Sequence, residues 1–344
     1  MPIQVVVAGG GPAGAAAAIA ARLEGAPVRV IERLTGSRHK VCGEFISPGG
    51  RWCLEELQLW DEFAALGPHK ITRCKLHLGK HCKEWRLPEC AWGLSRLQLD
   101  TFLLDQAARH GAEVVRGEAF DHRRQDLAFS RLIVAYGRTN IHPPGDRIFG
   151  FKAHFEGPSN DAVELFFDAS GYVGVSGIEA QRTNVCGLAR ESALRKYGFD
   201  FDAFVRRSSS MADRLAPLRR QMRWVAVGPI SFSFPGNRSW PDQVYAAGDA
   251  LMFIDPLTGS GILNALLTGR MAGLAAARGI ASAEYLRACR SLLRTPFTVS
   301  SALRSLTCRT AFYGCTPYLP GQLLFRWTRA SVQRASDLCA QNWN

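Results

Sequence analysis

The chain has 344 residues, 47% of them hydrophobic, which is enough for one large core or two closely joined domains and too apolar for a disordered chain. No run of eighteen apolar residues occurs and the N-terminus leads straight into a strand pattern, so neither a membrane span nor a signal peptide is expected, and a cytoplasmic location is. The formal charge of +12 is concentrated late, with ten arginines against Glu284 and Asp337 from Gly269 onward; no nucleic-acid-binding module accompanies it.

Ile3 to Ala8 is a β-branched run, Gly9 to Gly14 a glycine-rich turn, Pro12 to Glu24 an alanine-rich helix, and Val28 to Glu32 a second strand. Ser47-Pro48 has the form of an N-cap followed by proline at the first helical position, which predicts a helix to about Phe63. A further helix is expected over Leu97 to His110. Between them, Ile71 to Trp92 alternates short apolar and polar stretches. Phe149 to Phe155, Val163 to Phe167, Tyr172 to Val175 and Asn184 to Leu188 read as strands of an antiparallel sheet. Val244 to Ala247 is a short buried strand, and Gly261 to Gly279 a helix. From Ala283 the pattern is helical with interruptions at Pro296, Gly314, Pro317 and Pro320.

The ten cysteines are scattered, with no CxxC pair and no His/Cys cluster at zinc spacing, so buried, reduced thiols are expected rather than a metal site or a disulfide framework. In Ser291 to Arg329 arginines alternate with Leu, Phe, Tyr and Trp. That mixture suits packed helices with solvated arginines, a segment lying on lipid, or a roof over an apolar pocket.

A strand followed by Gly9, Gly11, Gly14 and a helix is GxGxxG in the context that gives it meaning. The first glycine turns the chain, the second lets backbone N–H groups approach a pyrophosphate, and the third lets helix and sheet pack closely. Glu32, with Arg33 beside it, ends the second strand where a carboxylate can accept hydrogen bonds from the ribose hydroxyls of an adenosine. The pattern points to dinucleotide binding.

A second segment, Ala247-Gly248-Asp249-Ala250 followed by Asp255-Pro256-Leu257-Thr258-Gly259-Ser260-Gly261-Ile262, exceeds what a simple NAD site needs. Here the sequence resembles the flavoprotein superfamily of p-hydroxybenzoate-hydroxylase-like enzymes, geranylgeranyl reductases and flavin-dependent halogenases, over roughly Val5 to Ala272. The resemblance implies an α/β fold: a Rossmann-like, three-layer FAD-binding domain opened by the βαβ unit, an inserted antiparallel-sheet substrate domain, and a C-terminal helical tail. The expected division is 1–70, 93–148 and 240–282 for the FAD-binding domain, 71–92 and 149–239 for the substrate domain, and 283–344 for the tail.

By the same resemblance, Gly248 and Asp249 hold the ribityl chain and pyrophosphate, while Pro256, Gly259 and Gly261 lay backbone N–H groups beside the isoalloxazine at a helix N-terminus, which suits the negative charge of reduced flavin. Arg96, which with Asp100 resembles the Arg-x-x-Leu-Asp entry to a helix, is expected on FAD phosphate. Cys42 falls where geranylgeranyl reductases place a Cys-Gly near the flavin. It is a candidate proton donor, and Glu44 a candidate to orient a substrate hydroxyl or act as a base. Tyr172 and Asn184 lie in segments resembling the strand pair that floors the reductase pocket, without its tryptophan and Phe-Pro. Those gaps also disfavour halogenation. Tyr136 stands where hydroxylases carry an aspartate that organises the nicotinamide region, and Glu113 to Ser130 is short for the usual β-meander.

The sequence as a whole points to an FAD-dependent oxidoreductase acting on a hydrophobic organic substrate. Monooxygenation through a flavin hydroperoxide leads, because hydroxylases are the commonest members of the superfamily. A geranylgeranyl-reductase-like reduction of carbon–carbon double bonds is the alternative, and a halogenase or a non-catalytic flavin-binding protein stands behind both. With no second GxGxxG, NAD(P)H is expected as a transient donor or through a separate flavin reductase. A carrier-bound substrate and peripheral membrane contact through the basic tail complete the expectations.

Overall fold

The computed structural model describes residues 4–121, 130–138, 145–234, 240–307 and 309–343. Ile3, Cys308 and residues 122–129 of the shortened Glu113 to Ser130 segment lie outside them.

The chain opens with β1 (Val5–Ala8), α1 (Pro12–Leu23) and β2 (Val28–Glu32), the βαβ unit that the sequence predicts. After a loop come β3 (Phe45–Ile46), α2 (Gly49–Glu56), α3 (Trp60–Ala65), the long hairpin β4 (His69–Leu78) and β5 (His81–Gly93), and α4 (Arg96–Arg109). β6 (Glu113–Arg116) and β7 (Arg131–Val134) return to the first sheet. The second sheet then grows through β8 (Ile148–Glu156), β9 (Ala162–Asp168), β10 (Gly171–Ile178) and β11 (Arg182–Arg190). Three short helices follow, α5 (Glu191–Lys196), α6 (Phe201–Val205) and α7 (Ser209–Leu215), then β12 (Arg219–Arg220), β13 (Val225–Ile230) and β14 (Val244–Ala246). The remainder is helical: α8 (Gly261–Arg278), α9 (Ser282–Thr307), a 3-10 segment over Thr310–Tyr318, α10 (Gly321–Trp327) and α11 (Val332–Asn342).

Five parallel strands form the first sheet in the order β14-β7-β1-β2-β6, with Val5 opposite both Val28 and Arg131. Alternation decides its faces: Val5 and Val7 join the main core with the helices, while Val6 and Ala8 join Ile31, Leu132 and Val134 on the other side. The alanine-rich composition of α1 has a packing cause. A side chain at Gly269 or Gly273 of α8 would collide with the carbonyl oxygen of Ala13 or Ala17, so the two helices cross with backbone against backbone.

The second sheet has nine strands, ordered β12-β8-β11-β10-β9-β4-β5-β3 with β13 also on β8. It is mixed rather than antiparallel throughout, because β4 pairs parallel with β9. Its outer face buries Phe151, Phe155, Val173 and Val185 against α5, α6 and α7; its inner face turns toward the first sheet.

Two local expectations are corrected. The helix predicted from Ser47-Pro48 to Phe63 is two helices, α2 and α3, broken where Gln58 takes a positive φ of 59°; Ser47 does not cap, and its hydroxyl accepts from Arg329 instead. Conversely, Pro296 does not interrupt α9. The apolar face that Pro296 shares with Leu292 and Leu293 is buried, and packing carries the helix through.

Candidate active site

The first part of the site forms at the C-terminal edge of the parallel sheet. Gly9 has φ +107°, and a side chain there would press on Ala135 and Tyr136 of the neighbouring strand end. A side chain at Gly14 would collide with the carbonyl of Gly9. Gly11, between them, faces open space, with no atom within 4 Å of where a Cβ would stand. α1 starts there with no side-chain cap, so its first N–H groups point into the same space. Glu32 ends β2 beside this space and accepts from Gly10 N at 2.6 Å and Leu34 N at 2.9 Å, while Arg33 is exposed at the same strand end.

Opposite lies Gly248-Asp249, which follows β14. Gly248 donates its N–H to Thr268 Oγ1 at 2.9 Å, and a side chain on it would strike Ala13. Asp249 has no hydrogen-bond partner among the described residues, and burial pushes its pKa up while Arg138, Arg96 and Lys40 pull against it. Arg96 itself is gripped by Asp100 through two hydrogen bonds of 2.7 and 2.9 Å, with Lys40 Nζ 2.7 Å from the same carboxylate. Burial pushes the Asp100 carboxyl up, but the two cations outweigh it and the net shift is down. Arg96 is thus fixed in place at the dinucleotide edge.

The second part is the turn from Asp255 to Gly261. Asp255 Oδ1 accepts from Leu257 N at 3.1 Å, and burial raises the carboxyl to about 6. Gly259 has φ +65°, and a side chain there would press on Phe45. α8 begins without a side-chain cap, because the hydroxyl of Ser260 is bonded to that of Thr258 at 2.8 Å. In its first turn Asn264 is buried with both amide atoms lacking a partner. A polar side chain stranded beside an uncapped helix N-terminus is what a bound polar ring would satisfy. The residues therefore fit FAD: Gly11 and the α1 N-terminus would take the pyrophosphate, Glu32 the ribose, and the α8 N-terminus with Asn264 the isoalloxazine. Asn264 was not singled out from sequence, although its place three residues after Gly261 was visible.

Between this turn and the inner face of the second sheet lies a cavity. Its floor comes from Val163, Leu165, Tyr172, Gly174, Cys186 and Leu188, with Gly174 opposite Cys186 across β10 and β11. Cys42 and Gly43 form one wall, Pro256 to Gly259 another, and Phe325 and Arg329 of the tail a third. Two of the floor strands, β10 and β11, are the pair whose resemblance pointed there; β9, with Val163 and Leu165, joins them. Burial raises the Cys186 thiol to about 12 and puts the Tyr172 phenol well above its ordinary value, so both are neutral proton carriers. Arg329, Cys186 and Arg138 were not weighed as site residues from sequence.

Cys42 reaches the cavity; Glu44 does not. The backbone turns between them, with Glu44 at φ +54°, so that the Glu44 side chain points the other way and is completely buried. One of its oxygens receives Lys152 Nζ and Arg96 N, the other lies 2.7 Å from His154 Nε2. Burial acts to raise its pKa, but His154 and Lys152 outweigh that and hold it below the usual range. Glu44 N also donates to Cys42 Sγ at 3.3 Å, and Asn184 Nδ2 to Cys42 O at 3.0 Å. Glu44 is thus withdrawn as a base or a substrate contact. It is an anchor that fixes the Cys42 loop. Tyr136, 55% exposed, follows β7 at the edge of the dinucleotide space.

Residues 2–140 match the FAD binding domain family. Over 337 residues the chain is 29% identical to digeranylgeranylglycerophospholipid reductase 2 of Methanopyrus kandleri, covering 83% of this chain and 81% of the relative. Among solved structures, a flavin-dependent brominase superposes with a TM-score of 0.76 at 16% identity, covering 100% of this chain and 96% of that one. A geranylgeranyl bacteriochlorophyll reductase-like protein from Thermoplasma acidophilum superposes with a TM-score of 0.69 at 19% identity, covering 99% and 96%. No helix among the described residues is long and apolar enough to cross a membrane, and no group of three metal-ligating side chains occurs among them.

Proposed function

Since this chain is an FAD-dependent oxidoreductase with an FAD binding domain, related to geranylgeranyl reductases and flavin-dependent halogenases, we propose that it reduces carbon–carbon double bonds in a long apolar, prenyl-type substrate. The reading departs from the monooxygenase favoured on frequency alone. It rests on one observation: the cavity beside the Pro256 turn is walled by apolar side chains, and proton carriers, Cys42, Cys186 and Tyr172, line it.

Reduced FAD, which Gly11, Glu32 and the α8 N-terminus would hold, would supply the hydride for one carbon of the double bond. The chain supplies the rest. Cys42, on a loop pinned by Glu44, delivers a proton to the other carbon, so that the saturated product gains two hydrogens and the thiol is restored from solvent. The α8 N-terminus favours the negative charge of the reduced cofactor. Val163, Leu165 and Phe325 exclude water and align the apolar chain. NAD(P)H, directly or through a separate flavin reductase, is the proposed source of electrons. Similarity to the Methanopyrus digeranylgeranylglycerophospholipid reductase supports the substrate class.

The test is anaerobic. FAD-loaded protein, reduced with dithionite, is mixed with a geranylgeranyl lipid while flavin absorbance and product mass are followed. Reoxidation of flavin with a product two hydrogens heavier is expected, and Cys42→Ser slows it by on the order of 100-fold. Reoxidation only when air is admitted, with a product gaining one oxygen, would overturn the proposal in favour of oxygenation; halide incorporation would overturn it in favour of halogenation.

A further inference from the structure

The stretch from Arg309 to Trp327 runs over the β4–β5 hairpin. Tyr313 packs on Gly79, Lys83 Nζ donates to Pro317 O at 2.6 Å, and Gly321 lies against Trp85. Its outward side is apolar to a degree a water-facing surface does not require: Phe312 is 40% exposed, Tyr318 86%, Leu323 46% and Trp327 49%. The exposed charges within the stretch are of one sign, Arg309 and Arg326, and it contains no Asp or Glu. Lys80, exposed at the hairpin tip, extends the basic rim, and Glu84 nearby is already bound by Arg73 and Lys75.

We propose that this stretch is a docking surface for an anionic lipid bilayer. Tyrosine and tryptophan are the side chains that settle at the level of lipid headgroups, and arginines among them match the negative surface of such a membrane. The fold supports this independently, because α10 has two working sides. Leu323 and Trp327, one helical turn apart, face outward, while Phe325, with Arg329 just beyond the helix, faces the cavity. A bilayer on the outer side therefore lies one helix away from the space that takes the substrate. The surface deepens the proposed reductase function and rests on it for the nature of that chain. Contact is shallow, since the described residues offer no spanning helix.

The experiment is flotation of the full-length, FAD-loaded protein with vesicles of phosphatidylcholine alone or containing one third phosphatidylglycerol. Flotation with the anionic vesicles only, weakened by salt, is expected. Arg309→Glu with Arg326→Glu should lower partitioning by on the order of 100-fold, and Leu323→Ser with Trp327→Ser by about tenfold, with melting temperature and bound flavin unchanged. Because the two pairs are separate, misfolding of one leaves the other decisive. The proposal is overturned if the unaltered protein stays behind at low salt, if all four positions are silent, or if they matter only for capture of an acidic protein. Flotation without double-bond reduction would remove the functional reading and leave the docking surface, whereas reduction of a detergent-dispersed lipid without flotation would do the reverse.

Discussion

Glu44 shows how a single side chain can be chemically conspicuous and still not be the reactive group. Its position next to Cys42-Gly43 was plain in the sequence, but its partners Lys152 and His154 lie more than a hundred residues later and no local pattern ties them to it. Removing one member of a buried charged cluster strands the others, so Glu44→Gln should destabilise the protein by about 3–5 kcal/mol. Adding Lys152→Met should recover most of that loss in a urea melt, and equal losses for the single and double variants would mean the three groups do not act together. Asp255 offers a pH test. Its carboxyl titrates near 6 when folded, against about 3.9 in an unfolded chain. The folded state thus binds the proton more tightly. The stabilising contribution is full below the unfolded value and is lost as pH rises through about 6. Relative to Asp255→Asn, the wild type should lose on the order of 2 kcal/mol between pH 4 and pH 7, read from paired thermal melts.

At the scale of elements, the opening βαβ unit was legible because its signals are local: valines in succession, glycines at fixed spacing, and a proline at the first helical position. What sequence could not show was that α1 is alanine-rich because α8, some 250 residues on, crosses it at Gly269 and Gly273. The same distance effect hid the break between α2 and α3 and made Pro296 look like a stop. The glycines of the first turn can now be separated by cause. Gly14→Ala, which collides with a carbonyl, should destabilise the cofactor-free protein by roughly 1–3 kcal/mol. Gly11→Ala meets empty space and has an ordinary φ of −73°, so its melting temperature without cofactor should hold while FAD retention falls about tenfold or more. If both variants lose stability alike, the open space is not the pyrophosphate site.

Across the whole molecule, the cavity is a meeting of parts with little sequence in common. The parallel sheet brings the dinucleotide edge, the mixed sheet the floor, and the tail a wall. The composition of the tail was readable as a roof or a lipid-facing segment, and the fold shows that one short helix serves the first of these while presenting a surface suited to the second. Arg329→Gln should loosen this wall: tryptic cleavage within Arg309 to Trp327 is expected to quicken severalfold, and unchanged cleavage would show that the arginine does not hold the tail down.

The guanidinium of Arg329 gathers Ser47 Oγ, the carbonyl of Thr258 and the carbonyl of Phe325 at 2.8, 2.5 and 2.8 Å. These groups come from three widely separated points of the polypeptide, and the arginine is the last to be translated. One side chain thus ties the segment before α2, the turn before α8 and the tail together, so the tail closes over the chamber only while all three hold their places.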